Sequence, residues 1–387
     1  MRNTLNNMAL PVFAIVAALG LFGVFVALNG VNPLDVWVLL FKGAFGDWFS
    51  WQNTLQRAAP LMLTALCVAL PARAGLVIIG GEGALVLGGL ACAALPMVVP
   101  LPANIVGTAA ICAAGAAAGA LWIMLAGALR QYRGINETIS SLLLAYVAIG
   151  LFKHAVEGPL RDPASLNKPS TYSLADGLGI GGISGSDIHW GLVLGVVACV
   201  GLGIWLQRTA SGFSVRVVGG NPRAAQLVGL PASRLILAAC ALGGACAGLA
   251  GSVEVAAVHT NANASLISGY GYAGILVAFM ARHNPLAIIP VAILFGGFGG
   301  ASASQLLMDS MTSFWASSVS PYQSNPLDIN PLKDFLERQI DFERLRQEFA
   351  KSEHKNTTVQ SLKYAVEKKL ARLMMQNPLR TDYQEHY

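Results

Sequence analysis

Charged residues divide the chain into apolar runs. Residues 3–34, 58–72, 83–129, 138–152, 188–207, 235–253, 255–281 and 283–308 contain no Asp, Glu, Lys or Arg. A bilayer core takes about 20 apolar residues in a helix, so these runs predict an all-α polytopic membrane bundle of about eight or nine segments. The 83–129 run is long enough for two spans, with Pro96, Pro100 and Pro102 supplying the turn between them. Runs 58–72 and 138–152 are short, so their spans must recruit flanking residues or be broken helices. Arg2 precedes a long apolar run with no small-residue cleavage site, which reads as a retained first span.

Glycine and alanine shape the interior. Gly115/Gly119 and Gly244/Gly248 have the small-xxx-small spacing that lets helix backbones approach closely. The pattern predicts tight packing and says nothing of function.

Composition supports a membrane body. The 387 residues are 55% hydrophobic and 12% charged, where soluble domains carry roughly 25% charged residues. Residues 1–302 hold 14 Lys/Arg against 9 Asp/Glu, and residues 303–387 hold 11 of each. An apolar, net-positive body is thus expected to give way to a charged helical soluble tail. The six cysteines lie in apolar runs without a CxxC pair or a neighbouring histidine, as small interior residues do.

Loop charges set an orientation. The 208–234 connection carries Arg208, Arg216, Arg223 and Arg234 and no acid, which places it in the cytoplasm. The acid-rich 155–187 connection then lies outside, and the turn with Arg130 and Arg133 lies inside. Within the basic loop, Asn221 can cap a helix, Pro222 suits its first position, and Gly229 followed by Pro231 can end it. The result is a helix of about two turns: a docking element for a partner, or an ordinary amphipathic connector.

Three acids stand at membrane level. Acids in spanning segments are costly and usually face a bundle interior, a cavity or a partner. Glu137 opens a helix with Ser141, Ala145 and Ala148 on one face, a small stripe fit for a neighbouring helix or a narrow lumen; the alternative reading of Glu137 is a simple interfacial cap. Glu254 reads as interfacial, as do His154, His189, His259 and His283. Glu82 lies in "GLVIIGGEGALVLGG", between Gly81 and Gly83. Glycine-interrupted apolar segments point to discontinuous helices in transporters. A second such element contains Gly269, Gly271 and Gly274.

Enzyme signatures are missing. There is no G-x-S-x-G, Walker A, HExxH or strand-to-helix GxGxxG pattern, so no catalytic residue, metal ligand or cofactor is expected.

The segments "GLVIIGGEGALVLGG", "RGINETISSLLLAYVA", "GFSVRVVGGNPRAAQLVGLP", "GLAGSVEV" and "GYGYAGILVAFMARHNPLAIIPVAILFGG" follow in this order. Over about residues 10–300 they resemble the inner-membrane permease of bacterial ABC importers for simple sugars and nucleosides, a relative of the branched-chain amino acid permeases. The resemblance implies a multi-pass subunit of the bacterial inner membrane that pairs with a second permease. A cytoplasmic ATP-binding subunit and an external solute-binding protein would complete it, with no role for nucleic acid. It further implies a substrate path including Gly81, Glu82, Gly83, Glu137, Ser141, Tyr270 and Tyr272. ATPase coupling would fall to Arg216, Asn221, Pro222, Arg223, Ala224, Ala225 and Gly229. Family members often have polar residues where this chain has Ile78, Ala84 and Ala145, which weakens a sugar or nucleoside assignment more than a permease assignment.

Residues 303–352 resemble a fragment of patatin-like phospholipases without their serine or aspartate motifs. Residues 353–387 resemble a piece of the motor subunit of type I restriction enzymes. The expectation is a composite of a 1–302 permease domain, lacking its last spans, and two soluble fragments. Rival readings are a branched-chain amino acid permease, a proton-coupled carrier using Glu82, a membrane-tethered lipid hydrolase and a non-functional hybrid.

Overall fold

A computed structural model describes residues 20–28, 32–165, 168–183 and 185–299. The expected tail fragments, 303–352 and 353–387, lie outside them. The described helices are α1 (Gly20–Leu28), α2 (Pro33–Phe45), α3 (Trp48–Arg73), α4 (Gly81–Val98), α5 (Ile105–Arg133), α6 (Glu137–Glu157), α7 (Gly191–Arg208), α8 (Ala210–Gly220), α9 (Pro222–Leu227), α10 (Ala232–Val253), α11 (Tyr270–Met280) and α12 (Pro285–Phe298). A π-helical turn, Glu254–His259, extends α10. No strand occurs among the described residues.

Asparagine starts many of these helices. Asn32, Asn104, Asn136, Asn221 and Asn284 each accept a hydrogen bond from a backbone N–H one or two positions into the helix that follows. The side-chain oxygen replaces an acceptor that the first turn lacks.

Among the described residues, six helices are long and apolar enough to cross a membrane, or seven if α1 and α2, bent by 117°, are one span. The short 58–72 run does recruit its flank, across Arg57 to Trp48, and 138–152 extends to Glu157. The 255–281 run is not one span. It divides into the π-helical turn, a polar loop and the short α11. The loop residues 260–269 carry no charge but include Thr, Asn and Ser, whose side chains favour turns over helix interiors.

Helices α3 and α10 form the centre. The predicted small-residue pairs meet: a Cβ on Gly119 would collide with the Gly244 carbonyl, and one on Gly248 with the Gly115 carbonyl. Close backbone approach adds dispersion contacts where no water-driven force separates helix from lipid. At one end of the bundle the 158–190 connection is laced to the segment after α10. Ile180 N donates to Ala256 O at 2.8 Å, Leu174 N to Thr260 O at 2.7 Å and Thr171 N to Ala262 O at 2.9 Å. The 208–234 loop occupies the other end.

Candidate functional site

After α3 the chain doubles back into the bundle. Gly75 takes φ +84, a left-handed conformation in which a side chain is strained, and lies against Gly219 of α8. Residues 76–79 are neither helix nor strand and are strapped to α6. Thr138 Oγ1 donates to Val77 O at 2.9 Å, and Ser141 Oγ accepts from Ile79 N at 3.1 Å. Gly83 then seats on Ala145, where a Cβ would lie 2.7 Å from the Ala145 Cα. The small stripe on α6 is therefore the bed of the α4 start, and Ser141, Ala145 and Ala148 are buried by it.

Helix α4 begins beside Cys67, partway along α3. Helix α11 begins at the same level: Thr64 Oγ1 donates to Tyr270 O at 3.0 Å. The two helices then diverge. α4 runs to the end of the bundle that holds the 158–190 connection, whereas α11 follows α3 to the other end. There Arg73 Nε donates to His283 O at 2.9 Å.

Glu82 joins the two starts. Its Oε1 accepts from Gly269 N at 2.8 Å and its Oε2 from Gly271 N at 2.6 Å, and the residue is 0% exposed. Gly269 stands at φ +82, and any Cβ on Gly271 would strike the Glu82 main chain. The carboxylate thus lies in the first turn of its own helix and caps another. Both positions favour negative charge, because unpaired N–H groups give helix N-termini a partial positive charge. The two glycine-interrupted segments flagged in the sequence are in direct contact.

Other predicted residues are placed as follows. Gly81 packs against Cys67 and Gly271. Tyr270 lines a cavity of about 430 Å³ with Arg57, Ser268, Gly269 and Phe298. Tyr272, half-buried, lies near Tyr146. Glu137 is paired with Arg130 (Nε–Oε2 3.3 Å), and the cap of α6 is Asn136 instead. Glu254 is buried, its Oε2 3.6 Å from His259 Nε2. His189 is 4% exposed, and burial holds its imidazole below the usual histidine range.

The basic loop folds as its sequence predicts. Asn221 Oδ1 accepts from Arg223 N and Ala224 N, both at 3.1 Å, Pro222 is the first residue of α9, and Gly229 takes φ +81. Ala225 faces inward while Arg223 and Ala224 are exposed. Arg216 lies over the Phe213 ring at 5.8 Å. Leu227 and Val228, 89% and 73% exposed, were not singled out by the sequence. Their apolar character beside a capped helix was the available signal. Thr138 and Thr64 were also missed, because a threonine in an apolar helix has no local mark of its distant acceptor.

A family model described as "Branched-chain amino acid transport system / permease component" matches residues 50–317. Among curated proteins, the chain is 33% identical over 305 residues to the glucose ABC transporter permease protein TsgB13 of Haloferax volcanii, covering 76% of this chain and 80% of that protein. It is 27% identical over 308 residues to the guanosine ABC transporter permease protein NupP of Bacillus subtilis, covering 77% and 86%. It is 27% identical over 312 residues to the nucleoside ABC transporter permease protein NupB of Lactococcus lactis subsp. cremoris, covering 76% and 84%. With a bundle of membrane-length helices, two of them starting partway along a third, this chain belongs to the branched-chain amino acid transport system permease family and is a transport subunit rather than an enzyme.

Proposed function

We propose that the chain forms the translocation path of an ABC importer for a small polar solute of the sugar or nucleoside class. The observation that carries this is the Glu82 bridge between two helix starts that lie partway along α3 and run in opposite directions. Discontinuous helices of this kind line substrate paths in transporters, because a backbone end away from lipid is tolerated only inside protein or beside a cavity. The names of the relatives, glucose, guanosine and nucleoside permeases, favour the solute class.

In this reading Gly81, Glu82, Gly83, Glu137, Ser141, Tyr270 and Tyr272 border the path, with Glu82 fixing its geometry. Tyr270 and Tyr272 offer hydroxyls and ring faces suited to sugar or base. A cytoplasmic ATP-binding subunit docks on Arg216, Asn221, Pro222, Arg223, Ala224, Ala225 and Gly229, with Leu227 and Val228 as apolar anchors. Its motion has a short route to the path: Gly219 abuts the Arg73 carbonyl and Gly75, and the 76–80 segment leads directly to Glu82. A second permease subunit and an external binding protein complete the assembly in the bacterial inner membrane.

The test is reconstitution of the chain with its ATP-binding subunit and binding protein in liposomes. ATP-dependent uptake of a labelled sugar or nucleoside is the expected result. Uptake that needs no ATP and collapses with an uncoupler would replace this reading with a proton-coupled carrier.

A further inference from the structure

We propose that the end of the bundle carrying the 208–234 loop holds a binding site for a phosphate group, gripped by Arg73, Arg208 and Arg216. A cavity of about 450 Å³ opens there, lined by these three arginines together with Gln207 and Asn284, and no acid among the described residues lines it. The ion pairs among the described residues are Arg130–Glu137 and His259–Glu254, so none of the three guanidinium groups is matched by a carboxylate. Three like charges around one cavity repel one another, and an anion between them reverses the sign of that interaction.

Two of the arginines have an ordinary role as well. Arg73 and Arg208 stand in the last turns of α3 and α7, where a cation complements the helix dipole. Arg216 has no such role: the last turn of α8 contains no basic residue, and Arg216 lies over Phe213. The opposite wall is fixed. Arg282 and His283 are consecutive non-glycine residues at φ 51 and 54, a sparsely populated conformation. Arg73 holds that turn by donating to both carbonyls, to His283 O at 2.9 Å and Arg282 O at 3.4 Å. The next residue, Asn284, caps α12, whose N-terminus adds partial positive charge to the same cavity.

A planar guanidinium fork matches phosphate oxygens, and basic pockets between membrane helices suit anionic headgroups such as that of cardiolipin. The cavity sits at the ends of two spanning helices, α3 and α7, where headgroups lie. A free phosphate offers the same oxygens, so the experiment separates the two sources.

The full chain is placed in phosphatidylcholine nanodiscs and its melting temperature is followed. One arm titrates cardiolipin into the bilayer, and the other adds inorganic phosphate to phosphatidylcholine alone. Saturable stabilisation is expected in at least one arm; a response to cardiolipin only assigns the headgroup, and a response to phosphate assigns the free ion. Arg208→Gln and Arg216→Gln should each weaken the effect about tenfold, the usual scale for losing a charge-assisted contact. Arg234→Gln removes the same charge from the same loop outside the cavity and should change it less than twofold. Arg208→Lys, which keeps the charge and loses the fork, should weaken it several-fold and serves if the Gln variant does not fold. No response in either arm, or equal loss in Arg234→Gln, overturns the site. Either failure leaves the transport reading untouched.

Discussion

The Gly271 N–H donates to Glu82 Oε2 at 2.6 Å across 189 positions of sequence, and this bond joins two helix starts that leave in opposite directions. Removing the carboxylate would strand the buried N–H of Gly271, at about 1–3 kcal/mol, and the half-buried N–H of Gly269. Glu82→Ala is therefore expected to lower the melting temperature of the purified chain, and Glu82→Gln, with one acceptor oxygen left, to lower it less. If both variants melt like the parent, the bridge contributes nothing to stability.

The α5–α10 contact depends on bare backbone at Gly119 and Gly248. Gly119→Ala forces a methyl into the Gly244 carbonyl. Overpacking of this kind costs about 1–3 kcal/mol. Gly150→Ala, where nothing lies within 4 Å of the new methyl, should be neutral or slightly stabilising. Parallel thermal melts of the two variants check the difference, and equal effects would count against the close contact.

How much of this was legible follows the range of the interaction. The α9 boundaries were readable because Asn221, Pro222 and Gly229 act on backbone only a few residues away. The Gly115/Gly119 and Gly244/Gly248 faces were readable from spacing. The Glu82 partners were not: nothing local ties position 82 to 269 and 271, although both segments carried the glycine signature of a broken helix. Charge alone does not reveal that the uncharged polar loop at residues 260–269 divides the 255–281 run. The Ala145 substitution reads differently with the fold in hand. Gly83 rests on that residue, so a small side chain there serves helix packing whatever it costs in polar contacts.

The docking surface proposed on α9 predicts a separation of binding from folding. Leu227 and Val228 are exposed, so Leu227→Asp and Val228→Asp should leave the melting temperature within about 0.5 kcal/mol of the parent in stability terms. Their expected effect is loss of co-purification with the ATP-binding subunit. Gly229→Val, which strains the φ +81 position, should weaken docking by misplacing the helix end. Unchanged co-purification in all three variants would remove α9 from the interface.

His189 is expected to give the bundle an acid-sensitive joint. It bridges to Gly182 within the 158–190 connection, and neither ring nitrogen has a hydrogen-bond partner among the described residues. Burial lowers its affinity for a proton relative to the unfolded chain, whose histidines titrate near 6.5. The unfolded state therefore binds the proton first, and stability rises with pH across this interval. The neutral ring leaves stability intact above about pH 6.5, and that stability is lost as the pH falls through the lower native value. Melting curves between pH 8 and pH 5 should show an acid limb that His189→Leu flattens, since Leu has no proton to bind. Other groups titrate in the same range, so the informative quantity is the difference between parent and variant. A difference that stays constant with pH would show that His189 remains neutral throughout, or is charged equally in both states, and the joint would not be acid-sensitive.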